Sequence, residues 1–386
     1  MGTKQLDILA LEPFHGGVRR AMLDAISRCS RHRWGLLKLP PRRLERRQMV
    51  AATWFAEHLS RNGIGKVDLI FASEALNLAD FLRLRPELAK RPSVVYFHET
   101  QLPDPAYELP ESPTDLVNLN SAMAATEIWF NSLYNLRRFL SRASAMVARH
   151  PELQAKDPMR SLAAKAHLVP PPIDLAALHD ARFGDGAAER DPRAILIDAR
   201  ETDHALLALV LADLARRREE MIVTTIGRLP AAATARLPWP ITVVGERDNA
   251  GMVRTLLASS IFLSVRAGAA SDDVAVRALS VGCNVVVRRD GVYPEIVPAP
   301  LHGRCLHDGT MDSIVDCLLD AIYMKRVDGL DYLIDEMLAG FDAMHACRRI
   351  DGRLEGLAGV PNVGTRPAST TTAIRGGRRS RRTVGV

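Results

Sequence analysis

No unbroken apolar run in the sequence approaches the roughly 20 residues needed to cross a bilayer, so no membrane-spanning helix is expected. The stretch Met1 to Gln5 is polar and leads straight into a strand-like run, and so carries no expectation of a secretory signal. Cysteine is scarce and shows no pairing pattern: Cys29, Cys283, Cys305, Cys317 and Cys347 are odd in number, scattered, and form no CxxC. Such spacing speaks against a disulfide frame or a zinc site and for reduced thiols in a cytoplasmic protein. Acidic residues are missing from the end of the chain. Between Thr365 and Val386 there are six arginines (Arg366, Arg375, Arg378, Arg379, Arg381, Arg382) and no carboxylate, which accounts for the whole formal charge of +6. The rest of the chain is balanced, so contact with a polyanion is expected from local basic segments and not from the protein's overall charge.

What is present describes an ordinary globular chain. Its 386 residues, 47% hydrophobic and 25% charged, are enough for two domains with sizeable cores. Apolar strand-like runs alternate with helical periodicity throughout, the pattern of parallel, doubly wound sheets. In the first half, strands are expected at Lys4–Leu11, Leu36–Leu39, Asp68–Ser73, Val94–Phe97, Glu127–Phe130 and His167–Val169. In the second they are expected at 194–197, 221–226, 242–244, 261–265 and 284–288, with helices between. The predicted fold class is α/β, with an N-terminal Rossmann-like domain over 1–175 and a linker over 176–193. A second Rossmann-like domain follows over 194–358, and a basic, disordered tail over 359–386.

One strand stands out. Val94 to Phe97 is apolar and ends in His98, Glu99, Thr100 and Gln101, after which Pro103 and Pro105 prevent an immediate helix. Ligands of open α/β sheets sit at the carboxyl ends of such strands. The turn Glu12-Pro13-Phe14-His15-Gly16-Gly17 lies between a strand and an amphipathic helix, where backbone amides can face an anion. It is neither a GxGxxG nor a P-loop. Asn131 or Ser132 can cap the helix that follows Phe130, and Arg42, Arg43, Arg46 and Arg47 form a basic segment opening another.

Five stretches occur in order: Glu12 to Gly17; Phe71-Ala72-Ser73 with Leu76-Asn77-Leu78; Leu84-Arg85-Pro86-Glu87-Leu88; Tyr96 to Leu102; and Phe130 to Asn135. Together they resemble the N-terminal domain of the tRNA-queuosine α-mannosyltransferases. Val292 to Pro298 resembles a segment of the same family's second half, and the likeness spans nearly all of residues 6 to 300. The resemblance implies the GT-B architecture of two Rossmann-like domains facing a cleft. It also implies transfer of mannose from GDP-mannose to the cyclopentenediol of queuosine in a tRNA anticodon, with retention and without a metal or other cofactor. On that reading His98 meets the donor sugar, with Glu99 beside it as the second catalytic residue, and Glu99 and Gln101 orient the acceptor or the imidazole. His15, Gly16 and Gly17 line the diphosphate or acceptor side, with Asn131 and Ser132 close by. Arg200 pairs with the diphosphate, and Glu295 either holds the base and ribose end or caps a loop. The implied partners are queuosine-bearing tRNA and a nucleotide sugar, with no membrane.

The chain departs from the wider group of retaining transferases at the donor side. The two glutamates of that group, eight positions apart, fall on Ala269 and Arg277, with Asp272 and Asp273 nearby as substitutes. The lysine expected shortly after Arg200 is absent from Glu201-Thr202-Asp203-His204-Ala205. Two alternatives therefore stay open: a non-catalytic pseudo-glycosyltransferase that binds tRNA, and a glycosyltransferase with a different acceptor.

Overall fold

A computed structural model describes residues 5–106, 114–150, 157–176, 178, 190–235, 237–245, 249–323 and 331–359. Most of the 176–193 linker, and the tail beyond Gly359, lie outside the described residues.

The first sheet consists of β1 (Asp7–Glu12), β2 (Arg33–Lys38), β3 (Leu69–Ser73), β4 (Ser93–Phe97), β5 (Glu127–Phe130) and β6 (Ala166–Leu168). Its strands are all parallel, in the order β2-β1-β3-β4-β5-β6. Strands β3 and β4 are buried at every position, which explains their unbroken apolar sequences: helices cover both faces. On one face Phe97 stacks on Phe130 with ring centroids 4.8 Å apart, under α2 (Leu44–Asn62) and α5 (Leu133–Arg149). On the other, Phe71, Tyr96 and Trp129 meet α1 (Gly17–Cys29). Strand order reverses between β1 and β3, which opens a crevice at their carboxyl ends.

The second sheet holds β7 (Ala194–Asp198), β8 (Ile222–Ile226), β9 (Ile241–Val244), β10 (Ile261–Ser264), β11 (Asn284–Arg288) and β12 (Leu306–His307). It too is parallel throughout, in the order β12-β11-β10-β7-β8-β9, with its reversal between β7 and β10. Loops from the carboxyl edges of both sheets touch. Ser132 Oγ donates to the Ala270 carbonyl at 2.7 Å, and Glu295 reaches the start of α5. The carboxyl edges of the two sheets thus face one another.

The last helix, Ala343–Gly359, was not foreseen. It falls within the 194–358 segment, yet its apolar face (Cys347, Ile350, Leu354, Leu357) packs on Leu6, Ile8, Met22, Leu23 and Ile26 of the first domain. Arg353 adds a two-pronged contact to Glu127 at 2.6 and 2.8 Å, and Ser30 Oγ donates to Asp351 at 2.6 Å. The chain therefore crosses between domains twice, and the two crossings pair: the Ile173 amide donates to Phe341 O at 2.7 Å and the Ala343 amide to Ile173 O at 3.0 Å. All five cysteines are free thiols. No helix among the described residues is long and apolar enough to cross a membrane.

Candidate active site

Strand β4 delivers His98 to the carboxyl edge, where it is only 6% exposed. Three asparagines hold the turn around it. Asn131 Nδ2 donates to the His98 carbonyl at 2.7 Å, and Asn135 Nδ2 to Phe97 O at 3.0 Å. The amides of Thr100 and Gln101 donate to Asn135 Oδ1 and Asn118 Oδ1 at 3.1 and 2.8 Å. Burial, reinforced by the positive charge of Arg19, holds the His98 pKa well below 6.5. The imidazole is therefore neutral, with one N–H to donate and one nitrogen to accept.

Its expected companions are distributed differently. The Glu99 side chain is 53% exposed and lies 3.7 Å from Arg138, while the Glu99 amide donates to Glu74 at 3.3 Å. Gln101 accepts from Gln48 of α2. Ser132, not Asn131, is the helix cap, accepting from the Asn135 amide at 3.1 Å. His15 is half-buried; burial and Lys38 lower its pKa, and its Nε2 is buried without a partner. A Cβ on Gly16 would lie 2.6 Å from Pro41 Cγ, so this glycine lets the 39–41 segment approach closely. Gly17, at φ +52°, opens α1, which has neither a side-chain cap nor an acid in its first turn. The first-turn amides of α1 are thus left for water or an anion.

Sequence reasoning missed three charged residues behind this edge. Glu12 closes β1, Glu74 follows β3, and Arg19 rises from the first turn of α1 to form an ion pair with Glu74. Glu12 is 2% exposed and Glu74 fully buried. Burial pushes Glu12 up to about 7 against the pull of Arg19, and raises Glu74 as well. The available signal was an acidic residue terminating each of two apolar strands, where a solvated strand end was the ordinary reading.

In the second domain Arg200 lies beside the β7–β10 reversal. Its guanidinium is folded onto Asp198, with Nε to Oδ1 at 2.9 Å and Nη2 to Oδ2 at 2.8 Å. Arg266, across the reversal, is 3.8 Å from Glu201. Glu295 accepts the Leu133 and Tyr134 amides at the start of α5, at 2.7 and 2.6 Å. Asp272 caps its own helix through the Ala275 amide at 2.9 Å and accepts from Tyr293 Oη at 3.0 Å; burial raises it to about 6. Ala269 is buried, and Arg277 points to the Asp174 carbonyl at 3.1 Å. Among the described residues no three His, Cys, Asp or Glu side chains come together as a metal would require.

Residues 7–173 match the family model described as tRNA-queuosine alpha-mannosyltransferase N-terminal. The match spans the whole of the first sheet, from β1 to β6. The chain is 26% identical, over 316 residues, to the tRNA-queuosine alpha-mannosyltransferase of Drosophila melanogaster, which covers 77% of this chain and 83% of the relative. Solved structures show the same fold at low identity. A glycosyltransferase from Rickettsia africae superposes with a TM-score of 0.61 at 11% identity, covering 92% of this chain and 98% of the other. A UDP-forming α,α-trehalose-phosphate synthase from Burkholderia xenovorans gives 0.63 at 12%, covering 92% and 99%. These neighbours show that the chain has the GT-B fold. Within the matched residues, the five quoted stretches coincide with β1–α1, β3–α3 (Leu78–Leu84), the turn after α3, the His98 turn and the start of α5. Four of the five lie at or beside the carboxyl edge of the sheet.

Proposed function

We propose that the protein transfers mannose from a nucleotide sugar, GDP-mannose, to queuosine in a cytoplasmic tRNA anticodon, with retention of configuration. The observation that carries this reading is the N-terminal family match combined with a buried, neutral His98 at the cleft edge of that domain. In this reading His98 donates its N–H to the donor sugar, and the three asparagines fix its carbonyl and the following turn. Charge leaving with the diphosphate meets the open amides of α1 and the guanidiniums of Arg200 and Arg266. Such preorganised donors stabilise developing charge where water is excluded. The exposed side chains of Lys38, Arg42, Arg43 and Arg46 border the Gly16 turn and supply contacts for tRNA phosphates. A nucleotide-sugar donor is in keeping with the UDP-forming neighbour, and mannose with the name of the Drosophila relative.

A second reading, a pseudo-glycosyltransferase that binds tRNA only, has its own support. Arg200, Glu295 and Asp272 are each engaged by partners within the protein, and Ala269 and Arg277 stand where acids are usual. Calorimetric titration with GDP-mannose, and with UDP- and ADP-sugars as comparisons, separates the two. Binding of GDP-mannose followed by sugar transfer to queuosine tRNA is the expected result. A folded sample that binds none of them establishes the second reading.

A further inference from the structure

The Glu12–Arg19–Glu74 group lies at the β1–β3 reversal and is only partly satisfied. Arg19 donates through Nη2 to Glu74 Oε1, but its Nε is buried with no partner. Glu74 Oε1 also accepts the Glu99 amide at 3.3 Å, while Oε2 is buried with none. Glu12 Oε1 accepts the Phe14 amide at 2.7 Å. Thr100 Oγ1, on the turn after His98, is a further buried atom without a partner. Buried polar atoms in native proteins are almost always paired, and leaving a charged one unpaired is costly. One ion pair therefore presents a free N–H donor and a free carboxylate oxygen, beside a second carboxyl group.

The chemistry of the unfilled positions selects a ligand. The ion pair of Arg19 with Glu74 leaves no net positive charge to hold a phosphate. A lone donor on Arg19 and a lone acceptor on Glu74 suit a group that both accepts and donates, which is what a hydroxyl does. Glu12 offers a carboxyl group for a second hydroxyl alongside. We infer that Glu12, Arg19 and Glu74 form the receptor for a neighbouring pair of hydroxyls on the acceptor, the group at which the sugar is attached. This rests on the reading of the acceptor as queuosine, whose diol supplies that pair. The position fits the role: Glu74 meets the Glu99 amide, on the turn that carries His98.

The test is equilibrium binding of one tRNA in two forms, with queuosine or with guanosine at the first anticodon position, to wild type, Glu74→Gln and Glu12→Gln. Hydrogen bonds to charged groups predict a wild-type preference for the queuosine form of roughly 10- to 100-fold. Each variant should lower that preference to within about twofold of unity, with affinity for the guanosine form unchanged. Both substitutions keep shape, and thermal melting reports folding. Should Glu74→Gln fail to fold because Arg19 loses its partner, Glu12→Gln, which leaves that pair intact, carries the test. A wild-type preference retained in the folded variants overturns the assignment and leaves the positions to bound water. Absence of any preference in the wild type overturns the queuosine reading and the diol receptor with it.

Discussion

Glu295 of the second domain accepts the Tyr134 amide of the first at 2.6 Å, so an acidic side chain of one domain caps a helix of the other. With the Leu133 amide at 2.7 Å, it satisfies two of the orphan N–H groups at the start of α5. Glu295→Ala should weaken the domain contact by about 0.5–2 kcal/mol, the usual worth of an N-terminal cap. Small-angle scattering of the variant should show a larger or more variable radius of gyration. An unchanged profile would mean that the Ser132–Ala270 contact and the paired crossings hold the domains without it.

Glu12 gives the stability a particular pH dependence. Its ordinary pKa of 4.5 rises to about 7 in the fold, so between those values the native protein holds a proton that the unfolded chain has lost. Stability attributable to this group is complete below pH 4.5, falls as pH rises towards 7, and is fully lost above it. Glu12→Gln removes the penalty. The variant should match wild type near pH 4.5 and exceed it at pH 8 by on the order of 3 kcal/mol. Denaturant midpoints at the two values check this, and a pH-independent difference would contradict it.

His98→Ala should lower kcat by roughly 100-fold or more, as expected when one preorganised donor is removed, with tRNA affinity within twofold or so of wild type. Because burial and Arg19 keep the imidazole neutral, no inflection that disappears in the variant should occur between pH 6.5 and 8. Turnover equal to wild type would remove His98 from the site.

Leu354 is fully buried where the last helix meets the first sheet. Leu354→Ala should cost about 2–5 kcal/mol, the range for emptying a packed core position. The loss should be seen in a fluorescence transition reporting Trp34 and Trp129, which lie in or against the same cluster. A transition confined to the second domain would show that the helix is not part of the first domain's core.

Much of the architecture was legible because parallel strands advertise themselves. Leu69–Ser73, Ser93–Phe97 and Glu127–Phe130 appear almost as their apolar runs predict. The last helix did not, for two reasons. Glycines and arginines interrupt its sequence, and its narrow apolar face finds a partner more than 300 residues earlier, which no local pattern reveals. At the site, His98 and the Gly16–Gly17 turn could be picked out because polar residues follow an apolar strand abruptly. The Glu12–Arg19–Glu74 group was hidden, since a charged residue closing a strand looks solvated until the helices above it are placed. The engagement of Arg200 by Asp198 was equally out of view: which of several carboxylates a guanidinium meets is decided by rotamer and loop geometry.

The paired crossings at Ile173 and Asp342 constrain how the two halves can move. A single connection would act as a ball joint, leaving three rotations free. Two strands of chain bound side by side act as the pin of a door. Any swing that preserves their hydrogen bonds must turn about a line through that pair. The carboxyl edges of the two sheets, lying off that line, would then part or meet along one fixed arc.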